Sequence, residues 1–459
     1  MTNQINNLLV LGIGVSPNKT DGVLRFEYFC NIYGLEYKIV GDGKIWKGGD
    51  MEIGPGGGQK INEILEVLES MDNRLVVICD TFDLFPLAGS KEIIEKYNNL
   101  CKPDYILFAS EIYCWPDKML KNNYPKTNNK YRFLNSGSMI GYRDNIYDLI
   151  KKTCINDIDD DQLYFTHKYL ANEKIILDHK CELFQTLCGA NDDIGIHKNR
   201  IYNKYTNSYP VFIHGNGSAK IFLNHIENYI EPNPFYNYSF TTEKYHKNIN
   251  QPKIFFALYI DSSKNTEMDI FINTVSTIDY SNKIIYIYDK NNNNINKNIN
   301  GLELHYYGNI KTYIFEHFQK SDSEYYFLLE QRCIISKRDV LHELLNYIDN
   351  YHRIISPLLH GNKNIYFTNF WGDLDDNGYY KRSEDYMELV DYQKRGLWNV
   401  PYVAGAILIH KDIINNWDIM AKNKFVDDID MQLCYNLRRN TLFMYMINYN
   451  NYGYIIQEN

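Results

Sequence analysis

The sequence predicts an α/β protein built from two domains in tandem. Its 459 residues are too many for one ordinary hydrophobic core, so two domains are the natural expectation. In the first half, short apolar runs alternate with segments whose apolar residues recur at helical spacing, and this rhythm indicates a mainly parallel sheet. A second α/β series with its own apolar runs begins at residue 253.

The elements of the first domain, residues 1–240, are predicted in chain order. Its apolar runs predict strands over residues 8–15, 36–40, 75–79, 105–109 and 211–214. Between the second and third of these runs, Ile61, Ile64, Leu65 and Leu68 recur at helical spacing after a cluster of glycines. A helix is therefore expected to begin at that cluster.

A linker and a second domain follow. Three prolines, several aromatic residues and no clear period precede residue 253, and we place a linker over residues 241–252. The second domain, residues 253–459, has strands predicted over residues 253–260, 283–288 and 325–329.

The composition excludes several classes of function. A formal net charge of −9 argues against a general nucleic-acid binder, whose affinity would depend on a basic surface. No apolar stretch approaches the roughly 20 residues that cross a bilayer, so no membrane span is expected. Residues 8–15 predict a first strand rather than a signal peptide. Nine cysteines without framework spacing indicate reduced thiols, and we expect a cytoplasmic protein.

Two carboxylates, Asp80 and Asp83, follow the predicted strand over residues 75–79. Ligands of open α/β sheets bind beyond the carboxyl ends of strands, and carboxylate oxygens suit magnesium or manganese. His214 closes the last predicted strand and could complete the ligand set, with Lys220 meeting a phosphate. The alternatives are a solvated turn for the aspartates and a core histidine before a tight turn.

Three further groups carry candidate chemistry. The glycine cluster over residues 54–58 precedes Lys60 and forms either a structural turn or a phosphate or sugar loop. The acidic run over residues 157–161 is either a solvated helix start or an acceptor site. Trp115 is either a core residue or a platform for a sugar ring. In the second domain, the matching strand ends in Glu330 rather than in paired aspartates, so no metal site is expected there.

Ordered motifs in both domains resemble one known family. In the first domain they are Thr20-Asp21-Gly22, Trp46-Lys47-Gly48-Gly49-Asp50, Gly56-Gly57-Gly58-Gln59-Lys60, Asp80-Thr81-Phe82-Asp83, Cys114-Trp115-Pro116, Arg132-Phe133-Leu134-Asn135-Ser136-Gly137, Asp159-Asp160-Asp161-Gln162-Leu163, Leu177-Asp178-His179-Lys180 and His214-Gly215-Asn216-Gly217. In the second domain they are Asn369-Phe370-Trp371-Gly372, Arg382-Ser383-Glu384-Asp385-Tyr386 and Trp398-Asn399-Val400-Pro401-Tyr402. Together they cover nearly the whole chain, which resembles the procollagen lysyl hydroxylase and glycosyltransferase family.

That resemblance implies two tandem GT-A (Rossmann-like) domains, the first catalytic and the second a non-catalytic accessory domain without a metal site. It also implies Mn²⁺ as cofactor and UDP-glucose as donor substrate. Asp80, Asp83 and His214 match the family's metal ligands. The positions matching its nucleotide-sugar pocket are Val15, Ser16, Pro17, Trp46, Met51, Lys60, Asn216, Gly217 and Lys220.

The resemblance further implies the reaction. Trp115, Asp160 and Asp161 match residues required near the transferred sugar and the acceptor. We expect a retaining transferase that moves glucose from UDP-glucose to galactosyl-hydroxylysine of collagen or collagen-like proteins, without lysyl hydroxylation, and with a homodimer as one option for its assembly. The alternatives are a UDP-sugar transferase acting on bare hydroxylysine or another acceptor, and an inactive collagen-binding module.

Overall fold

The computed structural model describes residues 8–51, 54–171, 173–230, 251–291, 298–299, 302–306 and 313–457. The chain divides into two compact units, Met1–Pro232 (unit 1) and Asn233–Asn459 (unit 2). The linker predicted over residues 241–252 lies mostly outside the described residues. None of the helices in the described ranges has the length and apolar character that crossing a membrane would need.

Unit 1 alternates strands and helices, as the apolar runs predict. Its strands β1 to β11 are Leu8–Ser16, Tyr37–Asp42, Leu75–Asp80, Leu84–Pro86, Ile106–Glu111, Phe133–Tyr142, Ile175–Leu177, Phe184–Thr186, Ile194–His197, Arg200–Asn203 and Phe212–His214. Its helices α1 to α6 are Asp21–Ile32, Gly58–Glu69, Ser90–Leu100, Arg143–Lys151, Asp161–Leu170 and Lys220–Glu227. All five predicted strands are confirmed, and α2 begins at the glycine cluster as expected.

The main sheet of unit 1 has the strand order β2-β1-β3-β6-β5-β7. β2, β1 and β3 run parallel, as do β5 and β7, whereas β6 is antiparallel to both of its neighbours. The expectation of a mainly parallel sheet therefore missed β6. Its segment Asn135-Ser136-Gly137-Ser138 interrupts the apolar run that would have marked a strand.

Helices cover both faces of this sheet. Alternate residues of β1 point to opposite faces. Leu9 and Leu11 join the cluster that contains apolar residues of α2, α4 and α5. Leu8 and Val10 join the cluster that contains residues of α1 and α3. The buried sheet thus lies between two helical layers, and polar side chains collect at its carboxyl edge.

A small second sheet carries residues to that edge. Its order is β4-β11-β8, with β11 antiparallel to β4 and parallel to β8. The register pairs His214 with Leu84, and Gly215 N–H donates to the carbonyl of Asp83 at 2.8 Å. The last residue of β11 therefore lies beside the turn that connects β3 to β4.

Replacing Arg25 by methionine is expected to destabilise unit 1 by about 3 kcal/mol, because it leaves a carboxylate without its cation. Arg25 Nη1 donates to Asn224 Oδ1 at 2.7 Å and to Glu227 Oε2 at 2.8 Å, and its side chain is only 4% exposed. Urea unfolding measures the loss. The control is Lys19→Met. The Lys19 side chain is 41% exposed, and its ion pair with Glu27 should contribute less than about 1 kcal/mol to the free energy of unfolding. Equal effects of the two variants would contradict the prediction.

Unit 2 has a second α/β arrangement. Its strands β12 to β27 are Ile254–Ile260, Lys283–Asp289, Asn298–Ile299, Leu302–Tyr306, Tyr325–Glu330, Cys333–Ile335, Ile354–Pro357, His360–Gly361, Phe370–Trp371, Asp373–Leu374, Tyr380–Lys381, Leu397–Val400, Tyr402–Val403, Ala406–His410, Met444–Ile447 and Gly453–Ile455. Its helices α7 to α12 are Asn265–Thr277, Glu316–Gln319, Val340–Asn346, Tyr386–Val390, Lys411–Asn416 and Ile429–Arg439.

Unit 2 repeats the topology of unit 1. Within its nine-stranded sheet, the order β13-β12-β16-β25-β18-β26 has the same directions as β2-β1-β3-β6-β5-β7. Its small sheet β17-β27-β19 likewise repeats β4-β11-β8. The shared register allows positions of the two units to be compared one by one.

Candidate active site

Three side chains converge at the carboxyl edge of unit 1. Asp80 ends β3, Asp83 precedes β4 and His214 ends β11. One ligand atom from each lies within 4.8 Å of the others. His214 Nε2 is 3.4 Å from Asp83 Oδ1 and 4.0 Å from Asp80 Oδ2. In the described part of the chain, no other set of three His, Cys, Asp or Glu side chains meets this condition.

β6 orients the imidazole of His214. Asn135 Nδ2 donates to Glu111 Oε1 at 3.2 Å, so its Oδ1 faces His214 Nδ1, also at 3.2 Å. Because that oxygen only accepts, Nδ1 carries the proton and Nε2 is left as the ligand atom. Gly137 makes room for the ring, since a Cβ there would lie 2.2 Å from His214 Cε1.

Two lysines and the imidazole balance the carboxylates. Lys60 Nζ is 2.9 Å from Asp80 Oδ1, and Lys220 Nζ is 3.5 Å from Asp83 Oδ2. Burial favours the neutral form of Asp83, but Lys220 and His214 outweigh it and hold its pKa well below the usual range. Burial likewise opposes protonation of His214, yet Asp83 and Asp80 raise its pKa.

These residues fit a divalent cation. Two carboxylates and one neutral imidazole form a donor set that manganese accepts. Without a metal ion, the negative charge of Asp83 is offset by the exposed Lys220 and by the titratable His214, both of which a metal ion can replace. The sequence-based prediction that Asp80, Asp83 and His214 come together is thus supported by their geometry.

Glu111, at the end of β5, was missed by the sequence analysis. Its carboxylate is 4% exposed and accepts hydrogen bonds from Asn135 Nδ2 at 3.2 Å, Gln162 Nε2 at 2.6 Å and Asn216 Nδ2 at 3.1 Å. Burial raises its pKa to about 7. A signal was available, because Glu111 follows a predicted apolar strand much as Asp80 does.

Glu111→Gln is expected to change how stability depends on pH. The unfolded chain releases this proton near pH 4.5, whereas burial raises the folded-state pKa to about 7. The folded state therefore keeps a proton that the unfolded state has lost, and this contribution to stability disappears as pH rises from 4.5 to 7. Wild type should lose about 3 kcal/mol relative to the variant over this window. Urea unfolding across the window, without metal, tests this; parallel pH profiles would contradict it.

The glycine cluster forms a structural turn, and the phosphate-loop alternative is not supported. The N–H of Gly58 donates to the carbonyl of Asp159 at 2.8 Å, and that of Gln59 to Asp157 at 3.0 Å. These first amides of α2 are therefore occupied. A Cβ on Gly58 would lie 2.0 Å from the carbonyl oxygen of Asn156, so the glycine allows the acidic run to approach.

Within the acidic run, neighbouring aspartates have different roles. Asp160 caps α5, since its Oδ1 accepts from the N–H of Leu163 at 2.7 Å. Asp161 is buried, accepts from Ser136 Oγ at 3.1 Å and lies 3.7 Å from Lys60 Nζ. Burial raises the pKa of both carboxyl groups. The helix-start interpretation is confirmed for Asp160, the acceptor-site interpretation stays a prediction, and Asp161 is the aspartate that lies near Lys60 and the three converging side chains.

Trp115 lies on the surface and not in the core. Its side chain is 56% exposed, and its carbonyl accepts from Gln162 Nε2 at 3.1 Å. Gln162 follows Asp161 in α5 and donates to Glu111, so Trp115 is tied to the rim of the same polar network. The core alternative for Trp115 was wrong, and the indole is available as a platform.

The remaining predicted residues surround this edge. Val15 and Ser16 end β1, with Pro17 next and exposed. Met51 is 47% exposed, and the indole of Trp46 donates to the carbonyl of Gly49 at 2.6 Å. No described contact joins these five positions to the three converging ligands.

Asn216 and Gly217 follow β11 and shape the turn after His214. Asn216 Oδ1 accepts from the N–H groups of Leu187 and Cys188, both at 3.0 Å, while its Nδ2 donates to Glu111. Gly217 has φ +59°, a conformation that favours glycine. Asn216 therefore positions the loop through three hydrogen bonds of its side-chain amide.

Comparison with known proteins gives the family. Residues 4–242, more than half of the chain, match the family model of the PLOD GT domain. The chain belongs to this PLOD glycosyltransferase family. Residues 247–458 match the model of the glycosyltransferase family 25, N-terminal domain. Both units thus match glycosyltransferase domains, in agreement with the GT-A-like α/β fold that the sequence predicts.

Individual relatives extend over almost all of the chain. An uncharacterized protein of Acanthamoeba polyphaga mimivirus is 52% identical over 99% of both chains. The procollagen-lysine,2-oxoglutarate 5-dioxygenase 2 of Mus musculus is 31% identical over 97% of this chain and 65% of its own. The multifunctional procollagen lysine hydroxylase and glycosyltransferase of Caenorhabditis elegans has the same identity and coverage. This member of the PLOD glycosyltransferase family spans just under two thirds of these two animal proteins.

Among solved structures, a glycosyltransferase involved in the glycosylation of the major capsid of PBCV-1 aligns with 48% of this chain. The alignment covers 98% of that protein, at 13% identity and a TM-score of 0.31.

Proposed function

We propose that the chain is a Mn²⁺-dependent, retaining glycosyltransferase that moves glucose from UDP-glucose to galactosyl-hydroxylysine of collagen or collagen-like proteins. The convergence of Asp80, Asp83 and His214 at a sheet edge carries this proposal. Membership of the PLOD glycosyltransferase family supports the donor and the acceptor classes. Unit 1 is the catalytic unit in this proposal, and unit 2 is its accessory domain.

Asp80, Asp83 and His214 Nε2 would hold the metal ion. When bound, the ion supplies Lewis-acid stabilisation of the negative charge that develops on the departing UDP. Lys220 is 52% exposed on the side chain and is held to Asp83 only at 3.5 Å. It is therefore free to turn from Asp83 to a phosphate oxygen of the donor.

Lys60 and Asp161 lie next to the metal ligands and towards the sugar. Lys60 is nearly buried between Asp80 and Asp161, so it fixes the spacing of these two carboxylates. Asp160 uses its carboxylate to cap α5. Asp161 is consequently the better candidate to orient the acceptor hydroxyl or to stabilise positive charge at the anomeric carbon.

In this proposal Trp115 faces the acceptor, and the buried Glu111 supports it through Gln162. The exposed indole of Trp115 offers an apolar platform to the face of the galactosyl ring, and Gln162 holds its backbone. Burial raises the pKa of Glu111 to about 7, and its carboxyl group anchors Gln162 and Asn216 from the interior. Gln162 Nε2 donates both to Glu111 and to the carbonyl of Trp115, so the three residues form one hydrogen-bond network.

An assay of UDP release tests which donor and which acceptor the protein uses. The purified chain is assayed with UDP-glucose, UDP-galactose and UDP-N-acetylglucosamine, each with Mn²⁺ or with EDTA. Acceptors are a collagen-like peptide with galactosyl-hydroxylysine, the same peptide with bare hydroxylysine, and the unmodified lysine peptide. We expect release only with UDP-glucose, Mn²⁺ and the galactosylated peptide.

Other results would revise or refute the proposal. Activity with the bare hydroxylysine peptide would support the alternative, a UDP-sugar transferase that acts on bare hydroxylysine. Peptide binding without any UDP release would leave a collagen-binding module. Release that EDTA does not affect would remove the metal from the mechanism.

A further inference from the structure

Unit 2 contains a cavity of about 770 Å³ at the edge that corresponds to the candidate active site of unit 1. The register identifies the equivalent positions. Ala406 pairs with Leu329 as Ser138 pairs with Cys79, so Gly405 takes the place of Gly137. Both Gly405 and Ile455 line the cavity.

Two of the three candidate metal ligands of unit 1 are replaced at this edge by residues that do not bind metal ions. Glu330 ends β16 as Asp80 ends β3, but Arg332 precedes β17 where Asp83 precedes β4. Ile455 pairs with Cys333 as His214 pairs with Leu84, so an isoleucine replaces the imidazole. A guanidinium therefore stands where unit 1 would hold a cation.

The charges at the cavity do not suit an anionic ligand. Arg332 Nε is 3.5 Å from Glu330 Oε2, which forms an internal ion pair. The hydroxyl of Tyr313 lies 2.8 Å from Glu330 Oε1 and 2.7 Å from Asp430 Oδ1, so the two carboxyl groups share one hydroxyl as their hydrogen-bond partner. Asp427 and Asp428 add negative charge to the lining, and Lys290 adds one further cation. Carboxyl groups thus outnumber cations.

Another part of the lining is aromatic. Phe367 is 40% exposed and Tyr380 is 37% exposed, and both line the cavity with Trp371 and Tyr402. The rings of Trp371 and Tyr380 stack at 4.8 Å, and those of Tyr380 and Tyr402 are also 4.8 Å apart. Trp371 also stacks on Tyr386 at 5.7 Å, so tyrosine rings cover much of its indole, and this packing fixes the wall before any ligand arrives.

We propose that this cavity is a metal-independent binding site for a neutral hexopyranose, separate from the candidate active site. A sugar ring has an apolar C–H face that can pack on the aromatic wall. Its hydroxyl groups both donate and accept, which matches carboxyl groups and a guanidinium facing one space. A nucleotide diphosphate would meet the excess of carboxyl groups, and an apolar ligand would leave the charged groups unsatisfied.

The tryptophans provide a direct test. The chain has five of them, at positions 46, 115, 371, 398 and 417, so labelling with 5-fluorotryptophan gives five ¹⁹F resonances. Trp371→Phe assigns the signal of the cavity. Methyl β-galactopyranoside is added to the full chain in EDTA, and we expect a saturable shift of the Trp371 signal with a millimolar midpoint. Trp398, which is 2% exposed and outside the lining, should not shift and reports that unit 2 stays folded.

Matched variants locate the site. Arg332→Gln should weaken sugar binding by about tenfold, the effect of losing one hydrogen bond to a charged group. Arg382→Gln removes an exposed guanidinium of the same unit outside the lining and should leave the midpoint unchanged.

Four outcomes would overturn the proposal. They are no shift of Trp371 up to the solubility of the sugar, a shift of Trp115 alone, a larger shift with UDP than with the sugar, and equal effects of the two arginine variants. UDP release by unit 1 is measured separately, so a failure here is distinguishable from a failure of the proposed transferase function.

Discussion

Asp83→Asn is expected to lower kcat/KM for glycosyl transfer by about 10³-fold or more, because a neutral amide replaces one of two anionic metal ligands. Asp83 Oδ1 lies 3.4 Å from His214 Nε2. Lys220 and His214 hold the pKa of Asp83 well below its usual range, so its carboxylate is ionised at neutral pH. Asparagine keeps the shape of the side chain, so the loss should reflect charge and ligation. UDP release measures activity, and titration calorimetry with Mn²⁺ measures the affinity for the metal.

The matched control for this variant is Asp192→Asn, which removes an exposed carboxylate of the same unit. It should retain full activity and metal affinity. In Asp83→Asn, Lys220 and His214 face an uncharged partner, which could also lower stability. Thermal unfolding of both variants shows whether activity is lost with the metal ligand alone or with the folded structure. Retention of activity within about tenfold in Asp83→Asn would exclude Asp83 as an essential metal ligand.

Gly137→Ala is expected to lower kcat by about 10²-fold, the scale of loss for a misplacement of about 1 Å in an active site. The new methyl group would lie 2.2 Å from His214 Cε1 and 2.7 Å from its Nδ1, so the imidazole must leave its present position relative to Asp80 and Asp83. Metal affinity should fall together with kcat, whereas the KM for the acceptor peptide should change little.

The control for that substitution lies in the same strand. Gly141→Ala places a methyl group 3.1 Å from Ile106 Cγ1, away from the ligands, and should affect stability more than activity. If Gly137→Ala binds Mn²⁺ with the affinity of the wild type, the expected displacement of His214 does not weaken the metal site. The imidazole is then not a metal ligand. If both variants lose activity equally, β6 tolerates no side chain and the test points to folding instead.

The sequence by itself determined the α/β class, the positions of the main strands and the carboxylates at their ends. The apolar run over residues 75–79 forms a buried strand, as its composition predicts. The polar residues that follow the run therefore lie at the edge of the sheet. Local order therefore predicted Asp80 and Asp83 as neighbours. Motif order was enough to predict the family and that His214 lies beside the two aspartates.

Only the tertiary structure decided which groups share one site and which are already occupied. β6 lies antiparallel at the centre of the sheet, where no apolar run announced it, and it brings Asn135 and Gly137 against His214. The N–H groups of Gly58 and Gln59 donate to carbonyls of the acidic run, about a hundred residues later. Asp160 and Asp161 are adjacent in sequence, yet one caps a helix and the other faces Lys60. The physical reason is that hydrogen bonding and burial depend on partners distant in the chain, which composition and local period do not encode.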